Sequence, residues 1–85
     1  MSLNRKEFVN EIVKDICKEY AFEGSVLAIQ NELHVELVSY YSKIGYTHII
    51  QCKDVEPTAD CFIKIRRDIV FGLQRHILKF FKINS

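Results

Sequence analysis

The chain has no tryptophan, one proline and three glycines among its 85 residues. So few breakers exclude a Pro/Gly-rich linker or a low-complexity tail. Its three cysteines, Cys17, Cys52 and Cys61, are odd in number and include no C-x-x-C pair. That pattern argues against a disulfide framework or a zinc knuckle and predicts a reducing, cytoplasmic setting. No apolar run approaches the roughly 18 residues that a membrane span needs, and no signal peptide is evident, so neither secretion nor membrane insertion is expected. Neither sign of charge is in excess. The net charge of +1 gives no global attraction to nucleic acid or to a membrane surface.

Hydrophobic residues, by contrast, are plentiful. They make up 48% of the chain, including four tyrosines and six phenylalanines, which predicts a folded core. The length fits one small domain over residues 1–85, with modest stability unless a partner contributes. The charge is also uneven. Residues 1–60 carry six Lys/Arg against ten Asp/Glu, whereas residues 61–85 carry six Lys/Arg against one acid. The basic segment is either a phosphate-facing surface or a solvated helix face paired with acids elsewhere in the fold.

Asn4 to Tyr20 reads as an amphipathic helix. Asn4 is placed to cap it with Glu7 as capping-box partner, and Phe8, Val9, Ile12, Val13, Ile16, Cys17 and Tyr20 form one apolar face. Glu7, Glu11, Asp15 and Glu19 run along one flank at i, i+4 spacing, where like charges repel. The row is expected to face the basic C-terminal segment, the alternative being a carboxylate directed at a metal. Gly24 reads as the helix stop.

Val26–Ile29 reads as strand 1 and Gln30-Asn31-Glu32 as a three-residue turn, so that Leu27 and Ile29 share a face with Leu33 and Val35. Strand 2 alternates, with Leu33, Val35 and Leu37 on one face and His34, Glu36 and Val38 on the other. Ser42-Lys43-Ile44-Gly45 reads as the next loop, with Gly45 supplying a positive φ. Strand 3, Tyr46–Lys53, then pairs Tyr41 with Tyr46 and sets Glu36 across from Gln51. After a loop containing Pro57, with Thr58 or Asp60 available as a cap, Cys61–Arg75 reads as a second helix. Ile77–Ile83 reads as a fourth strand, the alternative being a continuation of that helix. The expectation is an α/β (α+β) domain of order α-β-β-β-α-β. A mixed sheet of three to four strands is flanked by two helices that can cover both faces.

The segments Glu32–Val38 and Ile49–Asp54, with a helix following, resemble the PD-(D/E)xK restriction-endonuclease-like superfamily, in the manner of Mrr-type enzymes and Holliday-junction resolvases. Gln51-x-Lys53 matches the second half of that family's motif. Where the family's acid falls, this chain has His34, with Glu32 and Glu36 one pleat away on either side. The resemblance implies a DNA-associated domain with a minimal metal-dependent nuclease core, either whole or a fragment of a larger one. Lys53, Gln51 and Glu36 are its implied catalytic residues. Glu36, Gln51 and Glu11 are its implied magnesium ligands, oxygen donors of the kind a hard divalent cation requires to activate water against a phosphodiester. Lys64, Arg66, Arg67 and Arg75 are the candidate DNA contacts.

Two other readings stand beside it. Surplus apolar residues, among them Val38, Ile49, Phe71, Phe80 and Phe81, suggest a non-catalytic protein-interaction module that forms a homodimer. An αβββα nucleic-acid binder without catalytic history requires Ile77–Ile83 to be helical. His34, His48 and Cys52 do not suggest a metal cluster, because alternation places His34 on the face opposite the other two.

Overall fold

The computed structural model describes residues 4–84, so residues 1–3 and 85 of the expected domain lie outside the described residues. It contains helix α1 (Arg5–Glu19), strands β1 (Phe22–Ile29), β2 (Glu32–Ser39) and β3 (Gly45–Gln51), a single 3-10 turn (Cys52–Asp54) and helix α2 (Ala59–Asn84). The class is α+β. The sheet is wholly antiparallel in the order β1-β2-β3. The expected fourth strand and its parallel crossover are not present among the described residues. Ile77–Ile83 instead continues α2, because Leu73, Ile77 and Phe80 extend the stripe of Ile65 and Ile69 at i+3/i+4 spacing.

Helix α1 starts where its cap predicts. The Glu7 amide donates to Asn4 Oδ1 at 2.8 Å, and the Asn4 side-chain amide donates back to Glu7 Oε1. Thr58 caps α2 by accepting from the Cys61 amide at 3.2 Å.

Phe8, Val9, Ile12, Val13 and Ile16 of α1 and Ile65, Ile69 and Leu73 of α2 meet Val26, Leu33, Val35, Leu37 and Ile50 of the sheet in one core. Both helices therefore lie on the same face of the sheet, rather than one on each. Gly24 does not end α1. It sits within β1, where a Cβ would come 2.3 Å from Val13 Cγ1 and 2.9 Å from Leu37 Cδ2. Its missing side chain is what lets α1 approach. Gly72 does the same for α2, where a Cβ would come 2.0 Å from the Tyr46 hydroxyl.

Both hairpins differ in register from the sequence expectation. The first turn holds two residues, Gln30 and Asn31, so Ile29 pairs with Glu32 and Leu27 with His34. This single-residue shift turns Leu27 and Ile29 away from the core, onto the face of His34 and Glu36. The second loop is Tyr40–Lys43, two residues earlier than expected. It is organised by Ser39, whose backbone amide donates to the Ile44 carbonyl at 2.9 Å and whose Oγ accepts from the Ile44 amide at 3.0 Å. Leu37 therefore pairs with Tyr46 and Leu33 with Ile50. This shift is even, so every side chain of β3 keeps its expected face while its partner on β2 moves by four residues.

Candidate functional site: the open face of the sheet

With both helices on one side, the described residues leave the other side of the sheet uncovered. From β1 it carries Glu23, Ser25, Leu27 and Ile29; from β2, Glu32, His34, Glu36 and Val38; and from β3, Gly45, Thr47, Ile49 and Gln51. The expected site residues fall on and around this face but do not converge. Glu36 stands across from Thr47, and Gln51 stands across from Glu32. Four residues along a strand separate the two positions by about 13 Å.

Glu32, which the expected ligand set omits, is the true neighbour of Gln51. Its Oε2 accepts from Gln51 Nε2 at 2.7 Å, and its Oε1 lies 3.3 Å from His34 Nε2. Both oxygens of this carboxylate are thus engaged by its own sheet neighbours. Only the loop residues that fix the register could have identified it in advance.

Lys53 lies in the 3-10 turn after β3, exposed above a shallow depression of about 580 Å³ shared with Asp54, Glu56, Asp60 and Lys64. A narrower cleft of about 240 Å³ separates the end of β3 from α2 and is lined by His48, Gln51, Asp54, Lys64 and Asp68 among others. Glu11 lines neither depression. It is exposed on α1, 3.4 Å from Lys14, and the sheet lies between it and Glu36. Among the described residues, no group of three or more His, Cys, Asp and Glu side chains is placed to hold a metal ion. Glu36, Gln51 and Glu11 therefore do not fit a magnesium site in this arrangement.

Of the candidate DNA contacts, Lys64, Arg67 and Arg75 are exposed on α2. Arg75 stacks over the Phe71 ring at 5.8 Å, and Arg67 lies 3.9 Å from Asp68. Arg66 instead faces α1, where its Nε donates to Asp15 Oδ2 at 2.7 Å and its Nη2 donates to Glu19 Oε2. The lower half of the acidic row on α1 thus answers a cation of α2, as the charge asymmetry predicts. Arg66→Ala is expected to cost about 1 kcal/mol, because the pairs are half-exposed but form a network. Denaturant midpoints at low and high salt check this, and the loss should shrink as salt rises.

On the covered side of the sheet, His48 accepts or donates a 2.8 Å hydrogen bond with the Tyr46 hydroxyl, and the Tyr46 ring leans on His76 at 5.4 Å between centroids. Burial lowers the His48 pKa from its ordinary value of 6.5, and Asp68 opposes this in part. The fold therefore favours neutral His48. As pH falls below 6.5, the unfolded chain takes up the proton first, so stability declines down to the lower folded value. His48→Asn is expected to flatten that part of a melting-temperature profile against pH.

Among the described residues, no helix is long and apolar enough to cross a membrane. Comparison with protein-family models, curated proteins and solved structures finds no match to this chain.

Proposed function

We propose that this chain is a non-catalytic protein-interaction module whose contact surface is the open face of the sheet. One observation carries the reading. Leu27, Ile29, Val38 and Ile49 stand 45%, 46%, 51% and 52% exposed on a single uncovered face. Apolar residues scattered singly over a surface need no explanation, but Leu27, Ile29 and Ile49 gather around His34 at one end of the face, with Val38 beyond the row of Ser25, Glu36 and Thr47. Its charge selects the class of partner. Glu23, Glu32 and Glu36 lie on this face with no Lys or Arg among its described residues, so it repels a polyanion and suits an apolar protein segment edged with cations.

A peptide library panned against the protein is expected to return sequences that combine apolar and basic residues and lose binding in Ile49→Glu. Position 49 is half-exposed, so this variant should keep its far-UV circular dichroism and melting temperature nearly unchanged. Ligands indifferent to Ile49→Glu would overturn the reading.

A second reading, a DNA-associated domain with a nuclease-like core, is favoured by the Gln51-x-Lys53 segment leaving β3 beside Glu32, with Lys64, Arg67 and Arg75 as its phosphate contacts. It requires magnesium- or manganese-dependent nicking that is lost in Lys53→Ala. That result would displace the interaction reading.

A further inference from the structure

We infer that the open sheet face receives the second half of α2 from another copy of this chain, so that copies associate head to tail. The inference rests on the interaction reading and adds the occupant.

Helix α2 is longer than the sheet it lies on. Its 26 residues span about 39 Å, whereas a strand of the length seen here spans about 26 Å. The long dimension of the molecule, 47 Å, exceeds the next, 25 Å. The last buried residue of α2 is Leu73. Beyond it, the described side chains through position 82 include none that is fully buried, although Ile77, Leu78, Phe80 and Phe81 are apolar. Leu78 and Phe81 are 70% and 57% exposed, and Phe71, just before Leu73, is 60% exposed. At 3.6 residues per turn Phe71 and Leu78 point away from the stripe of Ile65, Ile69 and Leu73, so the far side of α2 presents a second apolar strip that the described residues leave exposed.

The charge of this half of the helix is the complement of the sheet face. After Asp68 the helix carries Arg75, Lys79 and Lys82 and no acid through Asn84. The central strand of the open face carries Glu32 and Glu36, flanked by Leu27 and Ile29 on one side and Ile49 on the other. Apolar residues edged with cations thus match apolar residues edged with carboxylates. Packing two open faces against each other would bury Glu36 and Glu32 against like charges, and packing two α2 halves together would do the same with cations. A helix on this face would also convert the two-layer domain into a three-layer one, the usual way to cover both sides of a sheet.

Because the two surfaces differ, the contact is heterologous. It leaves one unused sheet face and one unused helix at the ends of every assembly. Mass should therefore rise with concentration past the dimer rather than stop there.

The test uses two blocked variants of the full chain in sedimentation velocity, Ile49→Glu on the sheet face and Leu78→Glu on the helix. Each alone is expected to sediment as a monomer where the wild type associates. Mixed in equal amounts, they should form a 1:1 dimer, since each retains the surface the other lacks. If either variant loses its fold by circular dichroism, Glu36→Lys and Arg75→Glu serve in the same design, both at exposed positions. A monomeric wild type up to millimolar concentration, or a mixture that stays monomeric, would overturn the inference. So would a limiting dimer that neither substitution disturbs. Basic apolar peptides that still bind the Ile49 surface in any of these cases would leave the interaction reading intact and remove only the second copy as its partner.

Discussion

Ile69→Ala is expected to destabilise the fold by about 2–5 kcal/mol, the range for truncating a fully buried isoleucine. Ile69 is 0% exposed and lies midway along the part of α2 that meets α1 and the sheet. A domain of this size has only about 4–13 kcal/mol in total, so the variant should be close to unfolding near body temperature. Phe71→Ala, two residues away, is the matched control. Phe71 is 60% exposed, and its loss should change stability by no more than about 0.5 kcal/mol. Urea midpoints of the two variants together fix the rotation of α2 about its axis. Equal losses would mean that the helix docks by a different face.

Gly24→Ala should cost about 1–3 kcal/mol, the range for inserting a methyl into a filled core. The usual expectation for glycine within a strand is the reverse, because alanine reduces the entropy of the unfolded chain. The sign changes here because the added Cβ would come 2.3 Å from Val13 Cγ1, and 3.2 Å from Cys17 Sγ beyond it. Val13 cannot turn aside easily, since a valine in a helix has essentially one rotamer. Val13→Ala should recover part of the loss in the double variant, which a double-mutant cycle on urea midpoints would measure. If Gly24→Ala is neutral or stabilising, α1 does not approach β1 as closely as described.

These two positions illustrate what was legible in the sequence. The start and the buried face of the first helix were legible, because its cap, its acidic first turn and its apolar stripe agree, whereas its stop at Tyr20 was not. The faces of β2 and β3 were legible from alternation alone. The turns were not. Among the described residues, the non-glycine positions with positive φ are Gln30 at 53° and Lys43 at 54°, neither of which announces a turn. Gly24 and Gly45, which do look like punctuation, have no positive φ; Gly24 is needed for the space it leaves. Glycine was thus a misleading marker of backbone conformation and, at 24 and 72, a record of close packing.

The consequences for the candidate site follow from those turns. A one-residue difference at Gln30 and Asn31 moved Leu27 and Ile29 from core to surface and created the apolar patch. A four-residue shift in the partners of β3 separated Glu36 from Gln51 and brought Glu32 beside it. Ile77–Ile83 taken alone reads as a strand as readily as a helix, since a run of bulky residues fits either period over so short a length. Its connection to the unbroken stripe of Ile65, Ile69 and Leu73 decides for helix. That arrangement also meets the condition on which the αβββα nucleic-acid reading depends, although the carboxylates of the open face do not favour a polyanion there.

The central claim is that the open face of the sheet is a contact surface rather than a solvated one. Backbone amide NMR spectra of the full chain recorded from low micromolar to millimolar concentration test it most directly. The account predicts concentration-dependent shifts at Leu27, His34 and Ile49 and at Leu78 and Lys79, while Val9, Ile12 and Ile16 on the buried side of α1 stay fixed. Spectra that superimpose across the whole range, and that also stay unchanged when a basic apolar peptide is added at millimolar concentration, would contradict it.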